Sequence, residues 1–191
     1  MRKARWRLLA AVWAWAWVAT ASADPLDYNY AYLSHQQVHI DGESFRNDTL
    51  GAYYELGKHV HVFGSYGDAG AYGNPAWKNS RALRVGIGGR FNLGDDTLVA
   101  LEGAVVRARF DRPTGQRVED TGHAMIFEIR HRFVPWMEGI ASLSRTDVLG
   151  RRSGEFVAGP VFHLNHLLAL GVLYRRNEGH SGVEVTARWY Y

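Results

Sequence analysis

His59 and His61, one residue apart, are the first place in this 191-residue chain to look for chemistry. On an extended strand, side chains at i and i+2 share a face, about 7 Å apart along the chain. With a third ligand such a pair would hold a metal. No third ligand is evident, and two histidines hydrogen-bonded to an acid such as Glu55 account for the same pattern, so no metal is assigned. Ser34-His35 and His180-Ser181 set a hydroxyl beside an imidazole, but adjacent strand residues point to opposite faces. The chain has no cysteine, which excludes disulfides, a thiolate nucleophile and a Cys-ligated zinc. No catalytic residue and no cofactor is expected. What remains is a recurring set of acids and guanidiniums: Glu55, Arg84, Arg90, Glu102, Glu128, Arg130, Glu138, Arg175, Glu184 and Arg188. Turned toward one another, such groups pair, often bidentately. Glu128 or Glu138 with Arg84, Arg130 or Arg188 are the candidate pairs.

The elements that carry these residues alternate apolar and polar with a period of two, the signature of strands. Ten candidate strands are predicted: 26–40, 45–56, 59–67, 80–92, 97–110, 123–133, 136–146, 154–164, 167–176 and 182–191. The connections alternate in length. Gly57-Lys58, LGDD, Val134-Pro135 and Asn165-His166 are tight, whereas DAGAYGNPAWKN and DRPTGQRVEDTG are long and polar. The loops carry Tyr72, Pro75, Trp77 and Lys78, then Arg112, Arg117, Glu119 and Asp120, then Arg151 and Arg152. Short turns on one side and longer loops on the other describe an antiparallel up-and-down meander. Most strands have ten to fifteen residues, enough for the ~9–11 that a tilted transmembrane strand needs. The first and third segments are less regular, so eight strands is the alternative count.

Sorting the alternating positions decides the environment. One face carries Leu26, Tyr28, Tyr30 and Tyr32, then Leu50 to Leu56, Val60 to Tyr66, Leu83 to Phe91, and so on to Val183, Val185, Trp189 and Tyr191. It is nearly free of charge, and its aromatics lie near strand ends, as in a membrane–water girdle. The other face carries the acids and arginines listed above, with glycines among them. An arginine facing lipid at the midplane costs ~2–4 kcal/mol, so in a membrane these charges point into the lumen. Arg107 and Arg109 share parity with Val99 to Val105, which places them at headgroup level. A water-soluble barrel with the faces exchanged is the alternative.

The first 23 residues read as a signal peptide. Arg2, Lys3, Arg5 and Arg7 precede an apolar run from Leu8 to Ala19, and Ala21-Ser22-Ala23 is a small-residue cleavage site. Residues 24–191 then form one barrel domain. Four of the 22 Lys+Arg lie in the leader, which leaves 18 against 19 Asp+Glu, a formal net charge of −1. The basic isoelectric point therefore owes much to the leader, and no nucleic-acid partner is expected.

The final stretch, apolar at Val183, Val185 and Ala187 and closing on Trp189 and Tyr191, resembles the C-terminal signature that outer-membrane proteins present to the barrel-assembly machinery. The usual last residue is Phe. LDYNYAYL, HVHVFGSYG and LRVGIGGRF resemble the small outer-membrane β-barrel proteins common in xanthomonads and related gammaproteobacteria, a likeness that runs through most of the segment after the leader. It implies a transmembrane β-barrel in the outer membrane. With the strand count above, the expected chain is a monomeric barrel of ten strands, in contact with outer-membrane lipid and lipopolysaccharide. The resemblance implies little about activity. The Asp-x-His and Asp-x-Asp units of omptin-like proteases and the His-x-Ser of lipid-A deacylases are absent. The expected function is a barrel with a largely closed, charged lumen and a structural or surface-interaction role. A narrow channel for water, ions or small solutes is the first alternative, and an outer-membrane lipid hydrolase the second.

Overall fold

Why the alternation closes into a ring is visible in the computed structural model, which describes residues 26–40, 43–70, 79–111, 114–177 and 180–191. The predicted leader lies outside these residues, as do Tyr72, Pro75, Trp77, Lys78 and Arg112. Ten strands follow in order: β1 Tyr30–Ile40, β2 Glu43–Gly57, β3 Val60–Gly70, β4 Asn79–Asn92, β5 Thr97–Asp111, β6 Arg117–Val134, β7 Met137–Val148, β8 Arg151–His163, β9 Leu168–Asn177 and β10 His180–Tyr190. Each pairs antiparallel with its sequence neighbours. β1 closes on β10 over the register Tyr30↔Tyr190 to His39↔Ser181. Closure pairs both ladders of every strand and removes the open edges that a sheet otherwise leaves.

Several predicted loops turn out to be strand. Arg117–Gly122 extends β6, with Arg117 opposite Asp111 and Glu119 opposite Arg109. The stretch DVLGRRS contracts to a turn at Leu149-Gly150, whose φ values of 58° and 65° are both left-handed, the geometry of a tight hairpin. The Leu149 N–H donates to Asp120 Oδ2 at 2.5 Å, which holds a non-glycine residue in that conformation. These polar stretches alternate as regularly as the apolar ones, but their outward residues are charged, so hydrophobic periodicity ends before the strand does.

The outward face is apolar from β2 round to β10. Val85, Ile87, Leu101, Val105, Met125, Leu143 and Val185 are all more than half exposed. Glu102, Arg130, Glu138, Glu184 and Arg188 point inward and are buried.

The predicted first strand needs correction. It begins at Tyr30, not Leu26, and its faces are reversed. Tyr28, Tyr30 and Tyr32 face the lumen, while Leu33 is outward and 50% exposed. Leu33 opposite Leu50 on β2 fixes that parity. YAYLSHQQ has one large aliphatic residue, Leu33, so its alternation is set by rings that fit either environment: a tyrosine suits a membrane girdle and equally a buried site with a partner for its hydroxyl.

Candidate functional site

The lumen gathers the sequence-predicted charges, and its turn end is built around one tyrosine. Residues Leu26–Asn29 leave the wall and enter the turn-end mouth. Tyr28 is fully buried there. Its N–H donates to Glu55 Oε1 at 2.7 Å and its hydroxyl donates to Glu128 Oε1 at 2.7 Å. The ring stacks on His61, with centroids 4.2 Å apart, and the guanidiniums of Arg90 and Arg130 lie 5.7 and 5.2 Å from its centre, cation–π distances. The Asn29 side-chain oxygen accepts from Glu55 N at 2.9 Å. Four strands, β2, β3, β4 and β6, thus hold one short segment.

Above it lies a layer of buried charge. Arg130 donates to both oxygens of Glu138, at 3.0 and 2.9 Å, and both side chains have no exposed surface. Arg188 donates to the same carboxylate at 3.1 Å and stands over the Tyr30 ring at 4.9 Å. Glu138 is therefore the hub that joins β6, β7 and β10. Glu102 pairs with His61 at 2.8 Å, again without exposure. Gly88 makes room for that pair, since a Cβ there would run into the His61 ring and stand 2.9 Å from Glu102 Cγ. Arg90 pairs with Glu55 and donates to the Lys58 carbonyl at 3.1 Å. Nearer the loop end, Arg175 bridges Glu155, at 2.8 Å, and Glu184. Arg84 faces the lumen with no ion pair among the described residues.

Charge is only part of the filling. Tyr30, Ile140, Val157, Val161, Ala169, Leu173 and Tyr190 form one buried cluster, and Phe63, Ala104, Val106, Ala124 and Ile126 a second. Tyr53 touches both and stacks on Tyr30 and Phe63, at 5.0 and 5.2 Å. These inward aliphatic residues were legible, because they share parity with Glu102, Glu128 and Glu138. A search for charge passes over them.

Of the candidate pairs, Glu138 meets both Arg130 and Arg188, whereas Glu128 takes Tyr28 instead of an arginine. The two histidines separate: His61 is buried, and His59 stands in the β2–β3 turn, stacked on Phe91 at 6.2 Å. Ser34 is buried on the inner side, while His35 faces outward and bonds Asp48 at 2.6 Å. Among the described residues no three His, Asp or Glu side chains cluster as metal ligands. Val183, Val185 and Trp189 lie on the outer face of β10. Tyr191 follows the strand and donates its hydroxyl to the Tyr53 carbonyl at 2.9 Å. A cavity of about 680 Å³ opens at the turn end, between Arg132, Trp136, His163, His166 and Tyr190. Among the described residues no hydroxyl in the lumen is hydrogen-bonded to a histidine in the manner of a nucleophile and its base.

No family model matches the chain, and no curated protein is similar to it. Solved structures do share the fold. An outer-membrane channel from Pseudomonas putida F1 superposes with a TM-score of 0.55 at 10% identity, over 88% of this chain and 100% of that one. The NanC porin gives 0.54 at 8% identity, over 83% and 100%. The KdgM porin, in complex with disordered oligogalacturonate, gives 0.52 at 11% identity, over 85% and 99%. The fold is that of the small outer-membrane barrels of porin and channel type.

Proposed function

We propose that this chain is an outer-membrane β-barrel whose lumen is a packed core, and that it acts through the surfaces it presents to lipid and at its loop end, in a structural or surface-interaction role. One observation carries this reading. A full section of the lumen is filled by buried rings, aliphatic side chains and the Arg130–Glu138–Arg188 triad, with no exposed surface left on Arg130 or Glu138. Small barrels are filled by side chains, and an aqueous channel is the property of wider ones. Residence in the outer membrane is supported by the apolar outer belt and by solved outer-membrane barrels of the same fold. Export by the leader, folding by the barrel-assembly machinery through Val183, Val185, Trp189 and Tyr191, and a monomeric state complete the reading.

A narrow channel is the second reading, favoured by the porins and the channel that share the fold. It requires Leu26–Asn29 and the Glu138 hub to move aside. Those neighbours are porins and a channel, and among the described residues the lumen offers no hydrolytic pair, so a lipid hydrolase is not favoured. Planar-bilayer recording of the refolded chain separates the two main readings. A packed lumen gives no resolved conductance steps, and stepwise openings of the wild-type chain would establish the channel instead.

A further inference from the structure

Among the described residues, outward-facing arginines at the loop end follow one rule with two exceptions. Arg46 pairs with Asp48, Arg81 with Asp68, Arg107 with Glu119, Arg109 and Arg117 with Asp111, and Arg152 with Asp147. Arg145 on β7 and Arg176 on β9 are exposed, and among the described residues neither has a hydrogen bond or an ion pair. The two are neighbours. Arg145 lies opposite Gly154 of β8, and Arg176 lies opposite Phe156 two residues along the same strand. Two strand spacings and a two-residue offset put their Cα atoms about 12 Å apart. Gly154, opposite Arg145, has no side chain and leaves the space on that side open. On the same outer face Phe156 stands beside Arg176, and Leu143 and Tyr174 lie two residues along their strands from Arg145 and Arg176; the three are 39%, 57% and 46% exposed.

A pair of guanidiniums with no acid partner among the described residues, at the edge of an apolar belt, calls for an anion that carries its own apolar body. Guanidinium matches phosphate oxygens bidentately, and the apolar face below suits acyl chains. We propose that Arg145 and Arg176, across the Gly154 gap, form a binding site for the phosphate of an outer-leaflet lipid, whose chains lie on Leu143, Phe156 and Tyr174. This rests on the membrane reading above and deepens it, because it names the lipid chemistry and the one side of the barrel that selects it. The opposite wall, β1 to β4, satisfies its outward cations internally through His35, Arg46, Asp48, Asp68 and Arg81.

The test uses the chain refolded in neutral detergent micelles, with heat-modifiable gel mobility as the check that it is folded. Three probes are titrated: bisphosphorylated lipid A, the same acylated disaccharide with its phosphates removed, and inorganic phosphate. The double variant R145Q/R176Q is expected to keep the folded band and bind lipid A about thirtyfold more weakly, at roughly one surface-charge contribution per arginine. R81Q, on the self-paired wall, binds as the wild type does. If the double variant does not fold, R145Q and R176Q singly carry the same test, each losing about fivefold. Equal binding of the phosphorylated and dephosphorylated lipids, or wild-type affinity in the arginine variants, would overturn the site. Competition by inorganic phosphate as effective as that by lipid A would overturn the lipid as its occupant. A chain soluble and folded without detergent would instead remove the membrane reading itself.

Discussion

At the turn end of this barrel Arg130 and Glu138 meet with no exposed surface, while at the loop end Arg117 and Asp111 meet at 3.1 Å with the arginine 58% exposed. The chemical groups are the same and the energetics are opposite. Removing two charges from water costs several kcal/mol per ion, so the inner pair persists because each partner is indispensable to the other. The outer pair gives up little hydration and gains little. The turn end therefore behaves as a globular core with a charged hub, and the loop end as a solvated collar that extends the strands. Tyr28 belongs to the first regime. Its hydroxyl serves Glu128, its N–H serves Glu55 and its ring covers His61.

This contrast is best broken at the hub. Glu138→Ala leaves Arg130 and Arg188 buried without their carboxylate, and the expected loss is about 3–5 kcal/mol of unfolding free energy, read by urea titration of the refolded barrel in lipid vesicles. A loss below 1 kcal/mol would mean that water reaches the hub and the turn end is no core. Tyr28→Phe is a finer cut. It removes one hydroxyl and leaves a Glu128 oxygen without its donor, which costs about 1.5–3 kcal/mol in the same titration. If the segment Leu26–Asn29 were a loose tail, the change would be silent. Arg117→Ala, at the collar, is expected to cost less than about 1 kcal/mol, and a loss equal to that of Glu138→Ala would erase the distinction between the two ends.

Much of this arrangement was legible in the residues. Period-two alternation placed nine of the ten strands on the correct faces, because each contains several aliphatic residues at one parity, as Leu83, Val85 and Ile87 do on β4. Charge placed on a confined inner face left six combinations of Glu128 or Glu138 with Arg84, Arg130 or Arg188, and the structure forms two of them, Glu138 with Arg130 and with Arg188. β1 was not legible, since tyrosine is at home in a membrane girdle and in a hydrogen-bonded core alike. Glu55 stands directly opposite His61 on the neighbouring strand, yet it takes Arg90 and the Tyr28 N–H. Gly88, which lies between His61 and Glu102 in the ladder, leaves the room in which those two meet. That choice is made by lumen packing and is not written in the alternation. The aliphatic filling at Ile126, Ile140 and Leu173 was present in the alternation, at the parity of the charged residues on the same strands.

Which face meets lipid is the claim under every statement above. The chain has no cysteine, so single cysteines can be introduced and spin-labelled one at a time in the barrel refolded into vesicles. Labels at Val85 and Leu170 are predicted to be relaxed by oxygen dissolved in the acyl chains and shielded from a water-soluble nickel chelate. Labels at Thr49 and Ser142, on the inner face, are predicted to be shielded from oxygen. Nickel access at Val85 and Leu170 together with oxygen access at Thr49 and Ser142 would contradict the account.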